Sequence, residues 1–186
     1  PLGGLFSEAG VDTGDFVDAL LGDYVLEGEN YGVPFARSTP LFYYNKEVWQ
    51  AAGLPDRGPE NWTEFAEWAP RIQDAIGEGK HAIAMYDGSN YIDWTGQNII
   101  WDFDGAFSRE WTPTFTEDNT IRGVEYVKQL NDDGFLVVSA DSIVEFGSGL
   151  AACALASTGS LASAKTNAAF EFGTAFLPGA AEKNSC

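Results

Sequence analysis

An α/β layer structure built on a largely parallel sheet is the fold class this sequence predicts, and three observations predict it. Leu41, Phe42, Tyr43 and Tyr44 form an apolar run without polar alternation, as expected of a strand buried on both faces. Strand-like runs alternate along the chain with stretches whose apolar residues recur at helical spacing, the order that builds parallel sheets with helices on their faces. Gly and Pro punctuate most of the junctions between the two.

Taken in order, Phe16, Val17, Leu20 and Leu21 predict a short helix, and residues 24–33 a hairpin with a Gly/Glu/Asn turn. After the strand at 41–44, Asn45 caps a helix whose last turn ends at Gly53, suited to the left-handed C′ position. Pro55 forbids its continuation. Beyond the turn at 54–59, Thr63 is the predicted cap of a helix carrying Phe65, Trp68, Ala69, Ile72 and Ile76 at helical spacing, with Gly77 and Gly79 as its stop. Trp49, Trp62, Phe65 and Trp68 are read as core. A strand is predicted at 81–85 and a helix at about 91–101 within an aromatic-rich stretch that runs to Trp111. Ile121, Val124, Val127 and Leu130 form the stripe of another helix, closed by Gly134, and Asp141 caps a shorter one through Phe146. The apolar strand 151–156 leads into a helix start at Ser157-Thr158-Gly159-Ser160, and a last strand at 172–177 ends at Pro178-Gly179. There is no internal repeat.

Length and composition bound the class. At 186 residues, 45% hydrophobic and 20% charged, the chain can bury one good core and a small second one. The longest apolar run, residues 150–156, falls far short of the roughly 20 residues a membrane helix needs. With 10 Lys plus Arg against 28 Asp plus Glu, the formal charge of −18 makes nucleic acid and anionic membranes poor partners. Such acidity reads as the solvated surface of a secreted protein in preference to an acidic metal site. Both ends fall mid-pattern and no signal segment is present, so the expectation is a piece of something longer.

Two cysteines, Cys153 and Cys186, are too few for a disulfide scaffold and lack zinc-site spacing, leaving either one bridge between them in an oxidising compartment or two unrelated thiols. The sequon Asn61-Trp62-Thr63 is weak evidence of glycosylation, since Thr63 is assigned to a helix cap.

A succession of short segments carries a family resemblance. Pro34-Phe35-Ala36-Arg37-Ser38-Thr39-Pro40, Tyr43-Tyr44-Asn45-Lys46, Ala52-Gly53-Leu54, Asn61-Trp62-Thr63, Ala156-Ser157-Thr158-Gly159-Ser160-Leu161, and Phe172-Gly173 through Leu177-Pro178 occur in that order. The chain thereby resembles the bacterial extracellular solute-binding proteins of ABC importers, the family that includes the maltose-binding and glycerol-3-phosphate-binding proteins. The resemblance implies one lobe of the type II periplasmic-binding-protein kind: residues 1–43 as the tail of the first lobe and the inter-lobe crossover, 44–186 as the second lobe, and a hinge near 37–43 and Cys186. It implies capture of a sugar, polyol or glycerol-phosphate-type solute in an inter-lobe cleft, with no catalysis, cofactor or metal. It further implies ABC transporter membrane subunits as partners, a monomer when full length, and an extracellular, periplasmic or cell-surface lipoprotein location.

Candidate ligand contacts follow from cleft chemistry. A sugar or polyol presents hydroxyls around an apolar face and needs an aromatic platform with a few polar groups. Tyr91 and Trp94, three residues apart on one helix face, supply the platform, a place the family gives to an aromatic pair; Trp94 serves equally well as core. Asp87, in a loop with Gly88, is a candidate acceptor or a solvated loop carboxylate. Ser157, Thr158 and Gly159 open a helix at a strand's carboxyl end, where N–H groups bind phosphate or hydroxyl oxygens. Ser38 is carried over from the resemblance, and Arg37 is the one cation near the expected cleft. Two other readings stand beside capture. Asp87, Asp93, Asp102 and Asp104 among aromatics also suit a glycoside hydrolase with paired carboxylates. Against it, the only histidine is His81 and there is no Gly-x-Ser-x-Gly elbow. The third reading is an interaction module that binds no solute.

Overall fold

A computed structural model of the chain describes residues 1–179, which divide into two units between Ser38 and Thr39. The first unit holds helix α1 (Gly3–Ala9), a 3-10 turn at Thr13–Asp15, helix α2 (Asp18–Gly22) and the strands β1 (Val25–Leu26) and β2 (Glu29–Asn30). Helix α2 and the hairpin were legible in the sequence; α1 was not, because Leu5 and Phe6 alone make no stripe. The hairpin turns on Glu27 and Gly28, at φ of 52° and 81°, the pair of left-handed residues that a type I′ turn requires. No residue of this unit is buried.

The second unit contains β3 (Pro40–Asn45), α3 (Lys46–Ala51), α4 (Trp62–Ile76), β4 (His81–Tyr86), α5 (Ile92–Asp102), a two-residue-stranded hairpin β5 (Ser108–Arg109) and β6 (Thr112–Pro113), α6 (Asp118–Asp132), β7 (Leu136–Ser139), α7 (Ser142–Gly147), β8 (Ala151–Ser157), α8 (Leu161–Asn167) and β9 (Phe172–Ala175). Five strands form one sheet in the order β7-β4-β8-β3-β9. Strand β4 is parallel to β7 and β8, whereas β3 is antiparallel to both of its neighbours, so four strands run one way and β3 the other. The expected largely parallel sheet is therefore present, with one reversed strand inside it.

Strand β3 is buried on both faces, and its side chains divide between two apolar layers. Phe42 and Tyr44 face a layer with Trp49, Phe65, Ile72, Met85 and Ile99, while Tyr43 faces Phe146, Ala154 and Ala164 on the other side. Burial pushes the Tyr43 hydroxyl up to about 12, and it donates to the Ser157 carbonyl at 2.7 Å.

Three local expectations change in the structure. Asn61, not Thr63, caps α4: Trp62 is already helical, and the Asn61 amide oxygen accepts the Glu64 N–H at 2.8 Å. The asparagine of the sequon is thus engaged in its own backbone. Helix α6 buries Thr120, Gly123 and Leu130, while Ile121 and Val124 are exposed. The reason is the close approach of α5, since a Cβ on Gly123 would lie 2.9 Å from Ile100 Cα. Thr120 completes the contact by donating from Oγ1 to the Ala106 carbonyl at 2.9 Å. Strand β7, a four-residue edge strand with Val138 exposed, was not expected, although Phe135, Leu136, Val137 and Val138 after Gly134 form the apolar, β-branched run that marks a strand.

Arg57 grips Glu64 with two hydrogen bonds of 2.8 and 2.7 Å, clamping the turn before α4 to its first turn. That contact holds the Glu64 carboxyl below its ordinary 4.5. A group depressed in the folded state stabilises it above the unfolded value, and the contribution is lost as pH falls through the folded one. The stability gap between the wild-type chain and Glu64→Gln, measured by urea denaturation, should therefore be constant near neutral pH and shrink as pH falls below 4.5. A gap that stays level down to pH ~3 would exclude the clamp as its source.

Candidate functional site

Strands β4, β7, β8 and β9 all finish at one edge of the sheet, where β3 begins. The registers Tyr86↔Ser139 and Pro40↔Ser157 place these ends side by side, the edge at which open α/β sheets hold ligands. Asp87, Tyr91, Trp94, Ser157, Thr158 and Gly159 are brought to this edge by the strand and helix ends that carry them. Ser38 is exposed and is the last residue of the first unit.

Tyr91 is not on α5 with Trp94, as the spacing predicted; it precedes the helix with a left-handed φ of 44°. The conformation is fixed from below, since the Thr95 N–H and Oγ1 both donate to the Tyr91 carbonyl, at 2.9 and 3.0 Å. The two rings still meet edge to face at 6.1 Å, and buried Tyr86 supports Tyr91 at 5.4 Å. Tyr91 is 56% exposed and Trp94 is half-buried, so Trp94 both packs and presents a surface.

Asp87 accepts the Ser89 N–H at 2.8 Å and the Ser89 hydroxyl at 2.5 Å. These bonds hold its carboxyl below the usual carboxylate range, so it is an ionised acceptor at neutral pH. At β8 the N–H groups expected to point outward are already used. The Thr158 N–H donates to the Thr39 carbonyl at 2.9 Å, and the Gly159 N–H to Ser157 Oγ at 3.0 Å. Thr158 Oγ1 accepts the Thr39 N–H at 3.4 Å, so both hydroxyls serve as acceptors and keep their own protons for donation.

One part of the surface was missed by the sequence reading. A 430 Å³ groove is lined by Thr39, Leu41, Asn98, Trp101, Phe176 and their neighbours, with Trp101 53% and Phe176 74% exposed. The available signal was the spacing of Trp94, Asn98 and Trp101 at i, i+4 and i+7, which sets them on one face of α5.

Two of the carboxylates considered for a hydrolase are engaged otherwise. A general acid needs a raised carboxyl, whereas Asp87 is lowered by Ser89, and Asp102 accepts the Trp62 indole N–H at 3.0 Å. Among the described residues, no group of three or more His, Cys, Asp or Glu side chains is placed to hold a metal ion. No helix among them is long and apolar enough to cross a membrane. Cys153 is a free, fully buried thiol that donates to the Ala82 carbonyl at 3.1 Å, and burial raises its pKa. Cys186, the other thiol of the possible bridge and the second expected hinge position, lies outside the described residues.

The family model for bacterial extracellular solute-binding proteins matches residues 4–185. The chain belongs to that family. Among solute-binding proteins, the sn-glycerol-3-phosphate-binding periplasmic protein UgpB of Yersinia pseudotuberculosis is 30% identical over 190 residues, covering 96% of this chain and 43% of its own length. Its Escherichia coli K12 counterpart is 27% identical with the same coverage. The crystal structure of UgpB from Mycobacterium tuberculosis in complex with glycerophosphocholine matches with a TM-score of 0.91 at 48% identity, over 97% of this chain and 47% of that one. The sugar-binding protein MalE of Xanthomonas citri shares the fold, with a TM-score of 0.70 at 22% identity over 96% of this chain and 47% of that one. The chain thus spans less than half the length of these solute-binding proteins.

Proposed function

We propose that this chain is the second lobe and the crossover, with part of the first lobe, of the substrate-binding component of an ABC importer, and that it captures a glycerol-phosphate-type solute. The observation that carries the reading is the 48% identity, at a TM-score of 0.91, to a protein solved with glycerophosphocholine. Residues 1–43 form the tail of the first lobe and the crossover, and 44–186 the second lobe. The whole protein acts outside the cytoplasmic membrane, as a periplasmic protein or a cell-surface lipoprotein, and delivers its solute to the transporter's membrane subunits.

The chemistry of the edge supports capture without turnover. The Tyr91 and Trp94 rings offer an apolar platform for a carbon backbone, and the Ser157 and Thr158 hydroxyls donate to phosphate or hydroxyl oxygens. Asp87 accepts from solute hydroxyls, and Ser38 contributes from the crossover. Arg37, the one cation expected near the cleft, is paired with Asp23. Solute bound between two lobes stabilises the closed form by contacting both, with the hinge at 37–43. Titration of the full-length protein with glycerophosphocholine, glycerol 3-phosphate and maltose, followed by calorimetry and tryptophan fluorescence, should show saturable binding of the phosphodiester and its recovery unchanged. Absence of binding to all three, or hydrolysis of any, would overturn the reading.

A further inference from the structure

The hairpin β5-β6 carries the most exposed tryptophan of the second unit. Trp111 is 98% and Phe115 61% exposed, and neither belongs to the candidate edge or to the 430 Å³ groove. The stem beneath them is firmly held. Buried Thr114 and Thr120 both donate from Oγ1 to the Ala106 carbonyl, and Thr120 Oγ1 accepts the Ala106 N–H at 3.0 Å. The Thr114 N–H donates to the Phe107 carbonyl at 3.0 Å, and the Phe107 and Phe115 rings meet at 5.6 Å. An indole carried on so rigid a stem gives up little freedom when a partner covers it. The rim around it is acidic. Residues 104–118 hold Asp104, Glu110, Glu117 and Asp118 against one cation, Arg109, which is paired with Glu117 at 3.3 Å.

We infer that this hairpin is a protein-docking element, with Trp111 as its anchor, and that its occupant is the extracytoplasmic surface of the transporter's membrane subunits. The inference rests on the transport reading, which supplies the partner. Charge selects that occupant over the alternatives. An aromatic centre within a rim of carboxylates fits an apolar protein pocket edged by Lys or Arg, whereas a second copy of the same face, or an anionic lipid surface, is repelled. Buried tryptophan anchors carry a large share of the energy at such interfaces. The 11 residues of α5, about 16 Å of helix, separate the hairpin from Tyr91, so docking here leaves the solute contacts untouched.

Titration of the full-length protein onto its own transporter in phosphatidylcholine nanodiscs tests this, with interferometry reading docking and phosphate release reading stimulated ATP hydrolysis. Trp111→Ala should weaken docking about 10–100-fold and lower the stimulated hydrolysis at sub-saturating binding protein, while its Tm and its affinity for glycerophosphocholine stay at wild-type values. Glu110→Lys should slow association, and added salt should weaken docking of the wild type. Docking unchanged in Trp111→Ala would overturn the inference. A lowered Tm in that variant would overturn it in favour of cover by the same polypeptide. Binding to empty nanodiscs that is lost in Trp111→Ala would overturn it in favour of lipid, and self-association lost in the same variant in favour of a second copy. Calorimetry with glycerophosphocholine reads solute capture separately, so absence of solute binding fails the transport reading, whereas unchanged docking fails this inference alone.

Discussion

Truncating Phe42 to alanine is expected to lower the stability of the chain by about 3–5 kcal/mol, read as a lower urea midpoint at unchanged m-value. Phe42 is fully buried, and its ring meets Trp49 at 6.1 Å and Phe65 at 6.0 Å, both edge to face. Strand β3 is hydrogen-bonded on both sides, so the backbone cannot settle into the space the ring leaves. The cost is therefore transfer plus an unrelaxed cavity, at the upper end for such changes. Leu41, one residue earlier and half-buried, provides the contrast: Leu41→Ala should cost about 1–2 kcal/mol. A Phe42→Ala loss no greater than that of Leu41→Ala would mean that β3 is not held as described.

The second large effect concerns the platform. In the full-length protein, Trp94→Ala should raise the Kd for glycerophosphocholine about 10–100-fold, which corresponds to roughly 1.4–2.8 kcal/mol. Trp94→Phe should recover most of it, because a ring that keeps its contact with Tyr91 at 6.1 Å keeps the apolar face. Since Trp94 is half-buried, the Tm of each variant is measured beside the affinity. A Kd unchanged in Trp94→Ala, with the fold intact, would remove the indole from the site. Tyr91→Phe should bind almost as well as wild type, as the ring and not the hydroxyl is what Tyr86 supports.

Much of the fold was legible because its signals are local. The unbroken apolar run at Leu41 to Tyr44, the Asn45 and Asp141 caps and the left-handed Gly53 each follow from the chemistry of a few residues, and each is present. What was missed depends on partners far along the chain. The buried face of α6 is set by how closely Gly123 lets it approach Ile100. The site shows the same division. Tyr91 and Trp94 were singled out from their short spacing and their rings do meet, but the left-handed backbone that sets Tyr91 before the helix has no sequence mark. The N–H groups of Thr158 and Gly159 were read as open because nothing local reveals that Thr39 and Ser157 already take them. Trp101 escaped notice because a tryptophan near a helix end reads as packing until Phe176 is seen across from it.

The reversed strand also governs the order of assembly. Strand β3 leaves the ribosome before every other member of its sheet, yet one of its two flanks is closed by β9, pairing Phe42 with Ala175. Loop-closure entropy for so distant a partner is met only when nearly the whole lobe has been synthesised. The nascent chain thus remains short of its native sheet until translation has passed Ala175.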